Sequence, residues 1–442
     1  MTNASTQQQT VAVVGLGKIG LPLAIQYVRN GFRVIGCDIS EQVVAGVNDG
    51  VSHVHEEAGL EEAVAAAVRD GLLRATTDTS AGVRSADIAV VIVPVVVKDH
   101  GEIDFRALDS ATTAVGAGLH PGMLVVYETT LPVGTTAGRI RATLESASHL
   151  TAGADFLLAY SPERVSSGVI FRDLATYPKV VGGLNEASAD AAVAFYRAAL
   201  GAEIIQMASC DDAEFVKLIE TTYRDVNIAL ANEYAIFADA HGLDLTAAAA
   251  AANTQPYSHI HAAGLGVGGH CIPVYPYFLM HGASEGLALP RRARQINDGM
   301  AEYAADRLEA ELGDLRGQTI LLLGVAYRGD VRETAFTSAR LVRDALLARG
   351  AHVFSDDPLY TPAELDSMGY SPLPESQRSV VRALVLQAAH SAYADLDFNQ
   401  FPSCQLVLDG RRGMKREAVE AAGMRYLYIG DGQGAGKTEG EA

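Results

Sequence analysis

The chain has 442 residues, of which 49% are hydrophobic and 20% are charged, and its formal net charge is −19. This length predicts about three domains with substantial cores, and the balanced composition excludes wholesale disorder, collagen-like repeats and coiled coils. The negative charge repels a phosphate backbone, so we expect no nucleic-acid partner.

The four cysteines lie far apart and form no C-x-x-C pair; they are Cys37, Cys210, Cys271 and Cys404. This pattern is typical of a reducing compartment, so we expect a cytoplasmic protein. The first ten residues lack the basic and apolar regions of a signal peptide, and the longest apolar run, residues 88–97, is too short to span a membrane. No membrane association is predicted.

The chain opens with a strand, a glycine turn and a helix. The β-branched run at residues 10–14 predicts the strand, and apolar residues at helical spacing over residues 21–29 predict the helix. A second predicted strand, residues 33–37, ends at Asp38. The turn between the first strand and the helix has the sequence Gly15-Leu16-Gly17-Lys18-Ile19-Gly20.

This turn predicts a dinucleotide site. The bare backbone of its three glycines, with the adjacent Lys18 and Ile19, would contact a pyrophosphate at the start of the helix. Asp38 would accept hydrogen bonds from a ribose diol and would repel a 2′-phosphate. The predicted cofactor is therefore NAD rather than NADP, and the alternative is a glycine turn that only packs.

Further apolar segments alternate with Ala-rich helical stretches, which predicts a parallel sheet in a first domain spanning residues 1–208. These strand candidates are residues 88–93, 123–127, 156–160 and 179–181.

A long helical pattern follows. It opens at Ser209 with a capping-box sequence and continues to residue 241, with Gly242 as its C-cap. A helix of about 30 residues exceeds the usual length and typically bridges domains or forms a dimer interface. We therefore predict a helical middle domain at residues 209–312, interrupted by a Gly-, His- and Pro-rich loop at residues 253–277.

The strand–loop–helix theme restarts near residue 318. Predicted strands at residues 319–323 and 352–354 flank a helix at residues 341–349, which indicates a second α/β domain spanning residues 313–430. Residues 431–442 have no large apolar side chain, so we expect a disordered tail. The predicted fold is α/β, with two doubly wound Rossmann-like domains joined by the long central helix and the helical middle domain.

A second glycine-rich segment, Gly264-Leu-Gly266-Val-Gly268-Gly269-His270-Cys271, precedes a cysteine. Such a loop lets a ligand approach the backbone, and a thiol there is a candidate nucleophile. The alternative is an inert, buried cysteine, which we expect for the other three. A zinc site using His259, His261, His270 and Cys271 is disfavoured because adjacent ligands suit one tetrahedral ion poorly, so no metal is predicted.

Polar residues on the long helix and after one strand are further candidates. Lys217 and Thr221 are four residues apart and so share a helix face. Lys217 is either a solvated flank or a cation that stabilises a thiolate or an oxyanion. Glu163, in Ser161-Pro-Glu163-Arg164, follows a predicted strand end, where carboxylates of α/β proteins often face the ligand crevice.

Together these motifs resemble the nucleotide-sugar 6-dehydrogenases, a family that includes the UDP-glucose, UDP-N-acetylglucosamine and UDP-N-acetylmannosamine dehydrogenases. The resemblance extends over nearly the whole chain, and the Ser-Pro-Glu-Arg and Gly-Gly-His-Cys-Ile-Pro forms resemble the N-acetylhexosamine branch more than the UDP-glucose branch. The matching segments are residues 15–24, Glu128-Thr-Thr130-Leu-Pro-Val-Gly134-Thr, Ser161-Pro-Glu163-Arg164, residues 213–233, Gly268-Gly-His-Cys271 and Tyr327-Arg-Gly-Asp-Val-Arg332-Glu333.

The resemblance implies a double oxidation of the C6 alcohol of a UDP-sugar by NAD, in which Cys271 holds the carbon as a thiohemiacetal and then as a thioester. Glu163 matches the carboxylate of the water step, Lys217 the cation over the oxyanion, and Thr130 a polar contact near the water. A thiol explains how a single sugar site performs two hydride transfers without releasing an aldehyde.

The resemblance also implies binding roles and a homodimer formed through the long helix. Cofactor contacts are expected at Pro94 and Thr130 in addition to the glycine turn. Substrate contacts are expected at Glu163, Arg164, Lys217, Tyr257, Gly268 and Arg332, of which Arg332 is the first candidate for the phosphates.

Several positions depart from the family pattern. Tyr275 replaces the usual Asp four positions after the cysteine, Thr221 replaces the usual Asn four positions after the lysine, and Tyr257 replaces an Arg. The usual Pro-Thr-Pro is here Pro94-Val-Val-Val97. A hydroxyl at position 221 still donates, although it is shorter than an amide. These changes indicate a retained redox reaction with an altered substrate or a modified second step.

Four alternatives stay open at this point. One is a single-step oxidation that stops at the 6-aldehyde, and another is a UDP-glucose 6-dehydrogenase. A β-hydroxyacid dehydrogenase shares the cofactor domain and the long helix but has no use for the Gly-Gly-His-Cys loop. A catalytically dead NAD-sensing protein would bind the dinucleotide without turnover.

Overall fold

A computed structural model of the protein describes residues 8–98, 101–283 and 286–433. These residues fall into two compact units. The first holds the described residues up to Glu220 together with Tyr277–His281, and the second holds Thr221–Pro276 and the described residues from Gly282 onward. The sequence predicts boundaries after residues 208 and 312, whereas in the structure the helical middle section is divided between the two units.

The first unit is built on an eight-stranded sheet with the strand order β10-β9-β8-β7-β4-β1-β2-β3. Neighbouring strands are parallel except for β8 and β9, which are antiparallel. Two short strands, β5 (Val96–Val97) and β6 (Ile103–Asp104), pair separately. The strands of the main sheet are β1 (Thr10–Val14), β2 (Arg33–Cys37), β3 (Leu73–Thr76), β4 (Ile88–Val91), β7 (Leu124–Tyr127), β8 (Leu157–Tyr160), β9 (Lys179–Gly183) and β10 (Ile204–Met207).

Helices cover both faces of this sheet. Along β1, Val11 and Val13 belong to one core while Ala12 and Val14 belong to another, because successive side chains of a strand face opposite sides. The helices are α1 (Gly20–Arg29), α2 (Glu41–Asn48), α3 (Leu60–Arg69), α4 (Thr79–Arg84), α5 (Arg106–Gly118), α6 (Arg141–Ser148), α7 (Ile170–Thr176) and α8 (Glu186–Leu200), with a π-helical turn at Thr136–Ile140.

The predicted long helix is confirmed as α9 (Cys210–His241). Ser209 caps its start, because the Asp212 N–H donates to Ser209 Oγ at 3.1 Å while Ser209 Oγ donates to Asp212 Oδ2 at 2.7 Å. Gly242 ends the helix with a φ of +68°, a conformation that glycine adopts without strain.

The second unit carries a five-stranded, fully parallel sheet with the strand order β12-β11-β13-β14-β15. Its two faces also alternate: Ile320 and Leu322 lie in one core, and Leu321 and Leu323 in the other. The doubly wound α/β prediction is therefore confirmed. The strands are β11 (Thr319–Leu323), β12 (His352–Asp356), β13 (Val381–Leu386), β14 (Leu406–Asp409) and β15 (Arg425–Tyr428).

The remaining helices surround this sheet or precede it in the chain. They are α10 (Leu245–Ala252), α11 (Tyr275–Met280), α12 (Ala288–Leu312), α13 (Ser338–Ala348), α14 (Pro362–Ser367) and α15 (Arg416–Ala421), with 3-10 turns at Glu375–Val380, Ser391–Tyr393 and Phe398–Gln400. No helix within the described ranges combines the length and the apolar character needed to cross a membrane.

The expectation of disorder from residue 431 is wrong for its first three residues. The Asp431 carboxylate is buried and accepts hydrogen bonds from Arg307 Nη2 at 3.1 Å and from the Tyr428 N–H at 2.9 Å. The Gly432 N–H donates to Asp239 Oδ1 at 3.0 Å. The buried Arg307 needs a counter-charge, which orders this segment. The rest of the predicted tail, residues 434–442, lies outside the described residues.

Candidate active site

Loops at one edge of the first sheet hold most of the candidate residues of the first unit. Strands β1, β4, β7 and β8 are mutually parallel, so their carboxyl ends meet at the same edge. The glycine turn follows β1, Pro94 follows β4, Thr130 follows β7 and Glu163 follows β8. This edge is where open α/β sheets bind ligands.

The three glycines of the turn serve different purposes. Gly15 has a φ of +98°, and a Cβ there would lie 2.6 Å from the Ile92 carbonyl oxygen. A Cβ on Gly20 would lie 1.8 Å from the Gly15 carbonyl oxygen, so both positions require glycine for packing. A Cβ on Gly17 would have no described atom within 4 Å. The backbone at Gly17 is therefore open to a ligand.

The neighbouring side chains fit NAD. Asp38 Oδ2 accepts the Leu16 N–H at 2.8 Å and Oδ1 accepts the Ser40 N–H at 2.9 Å, and each oxygen has capacity for a further bond from a ribose hydroxyl. Lys18 pairs with Glu56 at 3.2 Å. Ile19 packs partly against the core at the start of α1, and Pro94 is exposed.

Three further candidates are buried: Thr130, on the loop after β7, and Lys217 and Thr221, on α9. Thr130 follows Thr129, whose Oγ1 donates to the Val93 carbonyl at 2.7 Å and so joins the loops after β7 and β4. Lys217 on α9 is only 6% exposed. The interpretation of Lys217 as a solvated flank is therefore wrong, because a lysine in that role would project into water. Thr221, one turn further along α9, is also buried.

Glu163 lies in a buried network of charges that the sequence analysis does not identify. Lys179 Nζ on β9 donates to Glu163 Oε2 at 2.8 Å and to Glu128 Oε2 at 2.7 Å. Glu163 Oε1 accepts the backbone N–H groups of Arg164 at 2.6 Å and Val165 at 2.9 Å. Burial works to raise the pKa of Glu163, but Lys179 and these hydrogen bonds outweigh it and lower the pKa to about 2.

Glu128, immediately after β7, is the more basic carboxyl of this network. Its Oε1 accepts the hydroxyls of Tyr196 at 2.6 Å and Tyr27 at 3.1 Å. Burial is the main cause that raises its pKa to about 7. The available sequence signals were a carboxylate directly after an apolar strand and a lysine at the start of another.

Arg164 is engaged by protein groups. Its Nε donates to Glu220 Oε2 at 2.9 Å and its Nη1 to the Pro178 carbonyl at 3.2 Å. These contacts tie the loop that carries Glu163 to the start of α9. Direct contact between Arg164 and a substrate stays a prediction.

In the second unit, the glycine-rich loop packs closely against neighbouring backbone. A Cβ on Gly264 would lie 2.8 Å from the Gly410 carbonyl oxygen, and a Cβ on Gly268 would lie 2.8 Å from the Tyr327 Cβ. Gly269, with a φ of +96°, donates its N–H to the Ala335 carbonyl at 2.9 Å. Close packing therefore explains these glycines and fixes the loop that leads to Cys271.

Cys271 differs from the other three cysteines. It is partly exposed, whereas Cys37, Cys210 and Cys404 are buried. Burial is the main cause that raises their pKa values to about 12, about 12 and about 11, which makes them poor nucleophiles. The structure thus distinguishes the one cysteine that the sequence singled out.

The other candidates of the second unit include two exposed side chains, Tyr257 and Arg332. Tyr257 is 88% exposed. Arg332 is exposed, stacks on Tyr360 at 4.8 Å, donates to the Leu359 carbonyl at 3.0 Å and pairs with Glu364. Tyr275, which replaces the Asp that is usual in the family, is the first residue of α11.

A second arginine, Arg411, was missed by the sequence analysis. It follows β14, at the carboxyl edge of the second sheet, and its Nε donates to the Gln387 carbonyl at 2.8 Å while its Nη2 donates to the Gly266 carbonyl at 3.3 Å. Burial lowers its pKa to about 10, which still leaves it charged. The sequence signal was Asp409-Gly-Arg411 at the end of an apolar strand.

The part of the chain that the structure describes contains no set of side chains that could bind a metal ion. No group of three or more His, Cys, Asp or Glu side chains there has a geometry that could hold an ion.

Comparison with known proteins gives a consistent assignment. Residues 9–200 match the NAD binding domain of the UDP-glucose/GDP-mannose dehydrogenase family, and residues 211–299 match its central domain. The chain is 33% identical to the UDP-N-acetyl-D-mannosamine dehydrogenase of Pyrococcus horikoshii, over 96% of this chain and 99% of that protein.

Solved structures agree. The UDP-D-ManNAc dehydrogenase from Pyrococcus horikoshii superposes with a TM-score of 0.86 at 32% identity, covering 96% of this chain and 100% of that one. A UDP-glucose dehydrogenase from Pyrobaculum islandicum gives a TM-score of 0.84 at 26% identity, covering 98% and 99%. The chain therefore belongs to the UDP-glucose/GDP-mannose dehydrogenase family and is an NAD-dependent oxidoreductase that acts on a nucleotide sugar.

Proposed function

We propose that this enzyme oxidises the C6 hydroxymethyl group of UDP-N-acetyl-D-mannosamine to the uronic acid, with UDP-N-acetylglucosamine as the second candidate substrate. Relatives named as UDP-N-acetyl-D-mannosamine dehydrogenases, at 31% to 33% identity over 96% of the chain, support this choice of sugar. The Gly-Gly-His-Cys271-Ile-Pro form of the glycine loop supports the same branch.

The observation that carries the proposal is the setting of Cys271. It is the one partly exposed cysteine in a chain whose other three thiols are buried and have raised pKa values. It also follows a loop whose glycines hold the backbone in a fixed path. A reactive thiol is what a double oxidation at one carbon needs, because it retains the aldehyde between the two steps.

The proposed reaction proceeds in three stages. First, the C6 hydroxyl loses a proton and C6 loses a hydride, which leaves an aldehyde. The Cys271 thiolate then adds to the aldehyde carbon to give a thiohemiacetal oxyanion, and loss of a second hydride from that carbon gives a thioester. Water finally attacks the thioester carbon and the C–S bond breaks, which releases the uronate, the thiolate and the two protons of the water. NAD, when bound, accepts the hydride in each oxidation.

The remaining candidates take supporting roles. Lys217 supplies positive charge to the oxyanion, Thr221 donates a hydrogen bond to it, and Glu163 accepts the proton of the attacking water with Thr130 nearby. Arg411 and Arg332 are the proposed cations for the substrate phosphates, with Arg411 favoured because its guanidinium is held at the carboxyl edge of its sheet.

The test is a comparison of kcat/KM for UDP-N-acetylmannosamine, UDP-N-acetylglucosamine and UDP-glucose with NAD. We expect UDP-N-acetylmannosamine to be preferred over UDP-glucose by at least about tenfold, because binding groups placed for the N-acetyl substituent are left unpaired by a hydroxyl. Cys271→Ala is expected to form no uronate, with Cys404→Ala as the matched control. Preference for UDP-glucose would overturn the choice of sugar, and uronate formation by Cys271→Ala would overturn the thioester route.

We also propose a homodimer formed through α9. Exposed apolar side chains recur at helical spacing on this helix, where water would otherwise contact them; they are Phe215, Ile219, Tyr223, Leu230, Tyr234 and Phe237. We expect light scattering to give twice the chain mass for the wild type and a single chain mass for Tyr223→Arg/Tyr234→Arg. A monomeric wild type would overturn the proposal.

The four unpaired cysteines support a cytoplasmic location.

A further inference from the structure

The Glu128–Lys179–Glu163 network contains two carboxyl groups around one cation. Lys179 Nζ donates to Oε2 of both, at 2.7 Å for Glu128 and 2.8 Å for Glu163. Lys179 therefore bridges the two carboxyl groups, and burial together with the charge of Glu163 raises the pKa of Glu128. Two carboxylates and one ammonium leave one uncompensated negative charge in the interior, which favours the binding of a proton by one of the carboxyl groups.

The contacts decide which carboxyl retains the proton. Glu163 accepts three N–H donors, from Lys179 and from the backbone of Arg164 and Val165, and all three stabilise its charged form. Glu128 is 1% exposed and, apart from Lys179, the donors to its side chain among the described residues are the neutral hydroxyls of Tyr27 and Tyr196. A proton that arrives on Glu163 is therefore more stable on Glu128. The pKa values, about 2 for Glu163 and about 7 for Glu128, have the same order.

We propose that Glu128 is a positioning residue that acts through Glu163 by holding the proton taken from the hydrolytic water. The inference rests on the proposed function, in which Glu163 accepts that proton. It addresses a difficulty in that function, since a carboxylate with three hydrogen-bond donors is by itself a weak base.

Hydrolysis begins from the form of the network in which both carboxyl groups are ionised, and this form becomes populated as pH rises through the titration of Glu128. The water oxygen bonds to the thioester carbon, one water proton passes to Glu163, and the C–S bond breaks so that sulfur leaves as the Cys271 thiolate. The carboxylic acid that forms loses the other water proton to solvent. Lys179, which donates to both carboxyl groups, then passes one of its protons to Glu128 and takes up the proton from Glu163, which restores Glu163 as a carboxylate. Glu128 loses its proton to solvent before the next turnover.

Hydrolysis should therefore speed up as pH rises through the titration of Glu128. The groups that face Glu128 are Tyr27 on α1, Tyr196 on α8, Lys179 on β9 and Glu163 after β8. The phenols keep their protons because burial, together with Glu128, raises both of their pKa values further. Glu128 is then the group of this network that changes charge near neutral pH.

The experiment is single-turnover hydrolysis of the Cys271 thioester, followed by intact mass of the full-length enzyme after mixing with NAD and UDP-N-acetylmannosamine. In the wild type we expect hydrolysis to accelerate between about pH 6 and about pH 8. Glu128→Gln keeps the shape and a donor but accepts no proton. We expect it to flatten this rise and to slow hydrolysis at about pH 8 by at least about tenfold, with an unchanged first hydride transfer and an unchanged KM.

Glu214→Gln is the matched control. Glu214 is a second buried carboxyl of the same unit whose pKa burial raises to about 7, but it accepts its hydrogen bonds from residues 134–136 rather than from Lys179. We expect this variant to keep the rise in hydrolysis with pH.

The outcomes separate this inference from the proposed function. If Glu163→Gln hydrolyses the thioester normally, the role of Glu163 itself fails. If Glu163→Gln accumulates thioester while Glu128→Gln keeps the wild-type pH profile, only the inference about Glu128 is overturned. A wild-type hydrolysis rate that stays flat over the same pH range also overturns it, whatever the stability of the variants.

Discussion

The molecule contains the same strand–turn pattern twice. Strand β1 is followed by the turn Gly15-Leu-Gly-Lys-Ile-Gly20. Strand β11 is followed by Gly324-Val-Ala-Tyr-Arg-Gly329, whose first and last glycines have the same spacing. In both, the first glycine has a positive φ and donates its N–H at 2.8 Å to the last residue of the next strand, Cys37 or Asp356. In both, an aspartate one residue later accepts the next N–H of the turn at 2.8 Å.

The two turns differ in where the next helix begins and in whether other residues cover the turn. In the first unit α1 begins at Gly20, and the backbone at Gly17 is open. In the second, Ala326 stands at the position of Gly17, and α13 begins only at Ser338. Residues 388–390 also cover this turn, since a Cβ on Gly329 would lie 2.0 Å from the Ala389 carbonyl oxygen.

The aspartates differ in the same way. Asp38 is half-buried, whereas Asp357 is buried and its Oδ2 contacts His390 Nε2 at 3.0 Å. The glycine turn is therefore a way to connect strand and helix, and it becomes a dinucleotide site only where the turn is open and its aspartate keeps free capacity. This explains why one chain with two such turns places NAD in the first.

The largest effect is expected for Gly20→Ala, which breaks the first turn. The new Cβ would lie 1.8 Å from the Gly15 carbonyl oxygen, and backbone moves less easily than a side chain. We expect a loss of about 3 kcal/mol in the free energy of unfolding, together with loss of NAD binding. Denaturant unfolding and calorimetry measure both. Gly138→Ala, whose Cβ would have no described atom within 4 Å, is the control and should leave both unchanged.

Asp357→Asn tests whether the second aspartate is only structural. It accepts the N–H groups of Val325 and Leu359 and contacts His390, so we expect a loss of about 1 to 3 kcal/mol in stability with no change in NAD affinity. Weakened NAD binding in a folded variant would contradict the comparison.

The same residue predicts a pH effect. Burial works to raise the pKa of Asp357, but hydrogen bonds from His390 and backbone outweigh it, so the pKa lies below its ordinary value. A lowered carboxyl pKa gives stability that is present above the ordinary value and is lost as pH falls through the folded value. We expect Asp357→Asn to show a shallower loss of stability in acid than the wild type.

Gly17→Ala tests whether the open backbone at Gly17 is needed for NAD binding rather than for folding. The added methyl contacts no described atom and the backbone conformation is not left-handed, so the melting temperature should stay within the error of the wild type. The methyl projects where the pyrophosphate approaches, so we expect the Kd for NAD to rise at least about tenfold. Ala326→Gly, the converse change in the second turn, should cost at most about 1 kcal/mol and create no NAD site.

The smallest effect concerns cofactor choice. Asp38→Asn removes the charge that repels a 2′-phosphate, so we expect the preference for NAD over NADP to fall by about tenfold, measured as the ratio of kcat/KM values. An unchanged ratio would mean that Asp38 serves to accept the Leu16 and Ser40 N–H groups and does not select the cofactor.

Local patterns predict much of this fold. Strands β1 and β2, the long helix α9 and the restart at β11 follow from periodicity and glycine positions. The antiparallel pairing of β8 with β9 does not, because strand direction depends on the path between strands and leaves no mark in the strands themselves. Short β3, with an exposed Arg74 in its middle, also lacks a clear apolar signal.

The candidate site shows the same limit. Cys271 is found from its glycine loop, because that signal is contiguous in sequence. Lys179 and Glu128 are 51 positions apart, and only the sheet brings them together. Arg411 is likewise recognised only once the chain places it beside Gly264 and Gly266, 145 positions away from the latter.

The most direct test of the central claim is the yield of NADH per UDP-N-acetylmannosamine consumed, with NAD in excess and the product identified by mass. The account predicts two NADH and a uronic acid for each sugar, with Thr221 and Tyr275 as tolerated changes. One NADH and a 6-aldehyde would contradict it, because the reaction would then end before the thioester forms.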